Sequence, residues 1–184
     1  LLSEFKCFIT NNFIKSSTSS TSTLVQSVAK RLQLIRIAYG ISSQIKLTIE
    51  QLNEIWNILF FTPEIPTIIK ELFFNFLKSA GLKDERKSYD SAYHINECYV
   101  VFETMICNPI IDWSLFSLDA YNCFNTYFMG LSKRNDSDKI HSVRVQGLET
   151  LWNIILHIPS NESVKDAITL LISSYQDMLF YDSM

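Results

Sequence analysis

Glycine and proline are scarce in this chain, four of each in 184 residues. So few turn-forming residues argue against a fold built from many short strands and tight turns. The glycines (Gly40, Gly81, Gly130, Gly147) also stand alone, which leaves no glycine-rich loop to cradle a phosphate. Long apolar runs are missing too. The best candidate, residues 55–69, is interrupted by Asn57, Pro63, Glu64 and Pro66, so no membrane span is expected. Nor does one sign of charge prevail. There are 16 basic and 19 acidic side chains, a net charge of -3, and the basic residues fall in small groups such as Lys30/Arg31 and Lys133/Arg134. Nucleic acid, which requires a concentrated positive field, is not an expected partner.

The four cysteines (Cys7, Cys98, Cys107, Cys123) show no Cys-x-x-Cys spacing, which implies reduced thiols in the cytoplasm or nucleus. The opening LLSEFKCFIT has no initiating Met, basic start or small-residue cleavage site, so it does not read as a signal peptide. The sequence is expected to be a segment of a longer protein. With 47% hydrophobic and 19% charged residues it has enough apolar mass for a sizeable core.

What is present is a helical period: apolar residues recur at spacings of three and four almost throughout. After residues 2–15 comes SSTSSTST (16–23), read as a flexible surface loop because it offers no apolar side chain to bury. A helix over 24–39 should stop at Gly40. Thr48 should cap the next, with Gln51 as its capping-box partner and Leu52, Ile55, Trp56 and Leu59 as one stripe. Pro63 and Pro66 should separate it from a helix carrying Ile69, Leu72, Phe73, Phe76 and Leu77, which ends at Gly81. The polar stretches 83–91 and 132–139 read as loops around helices at 92–107 and 118–133, the latter capped by Ser117 with Tyr121, Phe124, Phe128 and Leu131 on one side. A seventh helix should bury Leu148, Leu151, Trp152, Ile155 and Ile158. An eighth should bury Val164, Ile168, Leu171, Ile172, Tyr175 and Leu179.

One phrase occurs twice. LNEIWNILFFTP (52–63) and LETLWNIILHIP (148–159) match at Leu, Trp, Asn, Ile and Pro, 96 positions apart. The register continues past the proline, pairing Leu72 with Ile168, Phe74 with Leu170 and Phe76 with Ile172. Since a hairpin lies between the copies, the offset equals two units of about 48 residues, near the period of HEAT and armadillo arrays. The expected fold is therefore all-α: about eight helices in antiparallel hairpins, stacked as an armadillo/HEAT-like α-solenoid over 1–184, with repeat units at 47–81, 92–133 and 140–180. A single hairpin cannot cover its own apolar face, and stacked neighbours can.

Chemistry is thinly supplied. His94 and Cys98 share a helix face at i, i+4, but no further ligand spacing accompanies them, and a cysteine on an apolar face reads as a small core residue. No cysteine lies on a turn whose backbone donors would activate it. No catalytic residue, cofactor or metal is expected. The residues four after Trp56, Trp113 and Trp152 are Phe60, Ser117 and Leu156, so the Trp/Asn peptide ladder of importin-like arrays is missing, and both repeated tryptophans read as core. Tyr89, Tyr93 and Tyr99 cluster around the polar loop at 83–91 and are the candidate partner-binding surface, since tyrosine is favoured in binding hot spots.

WSLFSLDAYNCFNTYF (113–128), GLETLWNIIL (147–156) and DAITLLISSYQDML (166–179), in that order and preceded by TIEQLNEIW (48–56), resemble the armadillo-like helical arm of the large fat-facets-type ubiquitin carboxyl-terminal hydrolases. The resemblance spans about residues 47–180. It implies a deubiquitinating thiol protease as the parent, with this segment recruiting substrates or regulators as protein partners. The family's Asn-x-Gly-x-x-Cys and Gly-His boxes are absent here, since Cys123 follows Tyr121-Asn122, so no catalytic residue carries over. A general helical-repeat scaffold without a protease is the alternative.

Overall fold

The structure, a computed structural model, describes residues 1–14, 21–41, 46–81, 92–133 and 137–181. All regular structure among them is helical, in eight α-helices with short π- and 3₁₀-helical pieces. Two compact units divide the chain, Leu1–Val101 and Phe102–Met184. The boundary falls inside the hairpin expected at 92–133.

The first unit holds α1 (Leu2–Ile9), which runs into a π-helical turn Thr10–Ile14, then α2 (Thr21–Ile41), α3 (Ile49–Phe60), α4 (Thr67–Ala80) and α5 (Ile95–Val101). Helices pack with the next but one in sequence: α1 against α3, α2 against α4, α3 against α5. The Arg31 guanidinium lies 3.8 Å over the Phe8 ring and links α2 to α1. Leu52, Ile55, Trp56 and Leu59 are buried as the stripe predicts. Trp56 stacks on Phe60 and meets Phe73 and Phe74 edge-on or tilted, at centroid distances of 6.3 and 6.4 Å.

The start of α3 is set locally. The Thr48 side chain accepts from the Gln51 N–H at 3.4 Å, while the Gln51 side chain accepts from the Thr48 N–H at 3.1 Å, so two orphan donors of the first turn are satisfied reciprocally. Thr48→Ala should therefore lower stability by about 1 kcal/mol in urea unfolding. No measurable loss would show that water serves those donors equally well.

Two boundaries differ from expectation. Helix α2 begins at Thr21, so the last three residues of the Ser/Thr tract are helical, while residues 16–20 lie outside the described residues. It also continues through Gly40 to Ile41, and no described glycine has positive φ. Gly40 is buried there. The intrinsic helix cost of about 1 kcal/mol for glycine is thus not enough to end the helix here.

In the second unit a π-helical turn, Phe102–Ile106, and a 3₁₀ turn, Trp113–Leu115, precede α6 (Leu118–Ser132), α7 (Ser137–His157) and α8 (Asn161–Tyr181). The single helix expected over 92–107 is thus α5 followed by the wider π turn. That turn is closed by the Cys107 N–H donating to Phe102 O at 2.8 Å, and the Asn108 side chain donates to Thr104 O at 2.7 Å. Ser117 caps α6 through the Asp119 N–H. Tyr121, Phe124, Phe128 and Leu131 are buried as expected, and α7 packs on both α6 and α8. The loop expected at 132–139 is shorter than predicted, because α6 reaches Ser132 and α7 starts at Ser137; residues 134–136 lie outside the described residues, as do 83–91.

The interior of α8 differs more. Ser163, Ala167, Leu170 and Leu171 are buried, whereas Ile168, Ile172 and Tyr175 of the expected stripe are exposed. Apolar residues occur on several sides of this helix, so spacing alone does not choose the inward face. Small residues at 163 and 167 allow a close approach to the neighbouring helices. The side chain of Leu179 lies outside those described.

Candidate functional site

Tyr93 and Tyr99 of the expected tyrosine surface are buried. Tyr93 is 1% exposed, and its hydroxyl donates at 3.0 Å to Leu77 O, which also accepts from the Gly81 N–H at the end of α4. Tyr99 is 5% exposed. Both are packing residues of the first unit, because their rings bury well and the Tyr93 hydroxyl finds a backbone acceptor inside. Tyr89 lies outside the described residues. His94 is exposed while Cys98 is 1% exposed, so the pair does not converge on one open site. Among the described residues no group of three or more His, Cys, Asp or Glu side chains could hold a metal ion.

Trp152 is the larger correction. It is 47% exposed, whereas Trp56, its counterpart in the repeat, is 2% exposed. The cause is legible one helix away. Phe60, Phe73 and Phe74, which enclose Trp56, correspond to Leu156, Thr169 and Leu170 in the second copy. Among the described residues no aromatic cluster gathers Trp152 inward. It stands instead on an outer stripe of α7 with Val145 (43% exposed) and Leu156 (69% exposed), at spacings of seven and four that place all three on one face.

Beside that stripe lies a cleft of about 320 Å³, within the second unit. Its floor and one wall come from the π turn and the residues after it, through Glu103, Cys107, Ile111 and Trp113. The other wall comes from α7, through Gln146, Glu149, Thr150 and Asn153. The Glu103 carboxylate is fixed by the Ser142 hydroxyl, which donates to it at 2.7 Å. Gln146 Oε1 is buried and accepts no hydrogen bond. Among the described residues neither Glu103 nor Glu149 forms an ion pair. Near the rim, the Ser114 hydroxyl and then its N–H hold the Asp112 carboxyl below the usual range, and the charge of His157 contributes in the same direction.

Cys107 sits in this cleft as a thiol, not a nucleophile. Burial pushes it up to about 12; a hydrogen bond with Thr150 opposes the shift, and the charges of Glu103 and Glu149 reinforce it. All four cysteines are free, and only Cys7 is exposed. A thiol-reactive chromogenic disulfide at pH 8 should therefore modify Cys7 quickly and Cys107 only as the chain unfolds. Rapid native modification of Cys107 would contradict its protonated state. Above the ordinary thiol pKa the unfolded chain releases this proton and the folded chain keeps it. Its contribution to stability is thus complete at neutral pH and is lost as pH rises from about 9 towards 12.

No sequence pattern pointed to the cleft, because its walls come from residues 103–113 and 146–153, which meet only in the fold. The chain matches no protein-family model, curated protein or solved structure. No described helix is long and apolar enough to cross a membrane.

Proposed function

We propose that this chain is a non-catalytic helical-repeat module that binds other proteins, its hairpins stacked as an armadillo/HEAT-like solenoid. The observation that carries this reading is the outer stripe of α7, where Trp152 and Leu156 are 47% and 69% exposed. Next-but-one packing of helices in the first unit agrees with stacked hairpins. The parent chain is a deubiquitinating thiol protease for which this segment recruits substrates or regulators. That part rests on the ordered motifs at 113–128, 147–156 and 166–179 alone.

A photo-crosslinking residue at position 156 of the parent in cells should yield discrete protein adducts; none there, and none at position 172, would overturn the binding role. For the protease, the parent captured from cells should react with ubiquitin bearing a thiol-reactive C-terminal group, adding one ubiquitin in mass. Folded parent that fails to react leaves a repeat scaffold without a protease.

A further inference from the structure

Building on the protein-binding reading, we infer that the acidic cleft and the α7 stripe form one docking site for a basic-apolar segment of a partner protein. A lysine or arginine side chain of the partner enters the cleft, and an adjacent apolar residue covers Trp152 and Leu156. Charge complementarity selects this occupant. Each wall of the cleft offers a carboxylate, Glu103 from the π turn and Glu149 from α7. A long cationic side chain supplies several N–H donors to acceptors so placed, and its charge is met by two carboxylates that no lysine or arginine of the lining neutralises.

Helical geometry joins the two halves. Glu149 is three residues before Trp152 and four after Val145, and Asn153 is three before Leu156, so the cleft's α7 wall and the apolar stripe are neighbours on one helix. A guanidinium or ammonium leaving the cleft also passes the Trp152 ring, whose face attracts cations. At about 320 Å³ the cleft is near the small end of ligand pockets, enough for one extended side chain and not for a helix.

Other occupants fit less well. Phosphate groups and acidic peptides meet two carboxylates of their own sign. A hard divalent ion wants six or more oxygens in a tight shell, and no cluster of three metal-binding side chains is present among the described residues. A small free amine would satisfy the cleft and leave the stripe bare.

The test uses the whole 184-residue chain and fluorescent twelve-residue peptide pools, read by anisotropy. One pool carries Arg or Lys flanked by Leu or Phe; matched pools replace the basic residue with citrulline or Glu, or replace the flanking residues with Ser. The basic-apolar pool should bind at least tenfold more tightly than every matched pool, and its affinity should fall as salt rises. Glu149→Lys and Trp152→Ala, both at exposed positions, should each weaken it at least tenfold while thermal unfolding stays near that of the parent chain. Binding of the citrulline or Glu pools that neither variant alters would overturn this site and leave a protein-binding module that uses another face. Failure of every pool to bind overturns the site as well, and the binding role then stands or falls with the crosslinking at positions 156 and 172.

Discussion

Trp56→Ala should lower the free energy of unfolding by about 3–5 kcal/mol, and the same change at Trp152 by less than about 1 kcal/mol. The two residues occupy matched places in the repeated phrase, so the comparison holds local sequence nearly constant and varies only the surroundings. Trp56 is 2% exposed and touches three phenylalanine rings, so its removal leaves a cavity among Phe60, Phe73 and Phe74, side chains that cannot all close inward. Trp152 is 47% exposed, and its truncation opens no internal void. Urea midpoints with unchanged slopes would report the difference directly. Equal losses at both positions would mean that Trp152 is enclosed, and would remove the basis for reading α7 as a binding face.

That contrast marks how far spacing can be read. The third helix was legible in full, with its capping box at Thr48/Gln51 and its four buried residues, because cap chemistry and a single clean stripe both act within a few residues. Ser117 at the head of α6 was legible for the same reason. Trp152, Ile168 and Ile172 were not, since a helix with apolar residues on several sides has no unique inward face until its neighbours are placed. A comparison of the residues around each tryptophan, three aromatic rings in the first copy and none in the second, does carry the signal. Tyr93 shows the converse, where a residue type common at interfaces is drawn inside by one backbone acceptor, Leu77 O. The cleft has no local signature at all. Glu103 and Gln146 are 43 positions apart, and only the packing of α7 beside the π turn brings their acceptors together.

Gly147→Ala should destabilise the chain by about 1–3 kcal/mol, even though the same change in an open helix would stabilise it by nearly 1 kcal/mol. A Cβ at this position would fall well inside the contact distance of the Phe128 ring and 3.3 Å from Phe102 Cζ. Phe128 is 1% exposed, stacks on Phe124 at 5.6 Å and lies 6.3 Å from Phe102, so making room means disturbing that stack or moving α7 away from α6. Overpacking therefore outweighs propensity, and Gly147→Val should cost more than Gly147→Ala because its branched Cβ adds bulk at the same place. Phe128→Leu frees space beside the missing Cβ, so the double variant Gly147→Ala/Phe128→Leu should lose less than the sum of the two single changes. A gain of stability in Gly147→Ala would refute the close approach of α6 and α7. The loss, if found, should reach the docking site too, since Gln146, Glu149 and Thr150 line the cleft from the same two turns of α7 as Gly147. A helix displaced to relieve Phe128 also displaces that wall, and the basic-apolar peptides should then bind less tightly to Gly147→Ala under conditions where it remains folded.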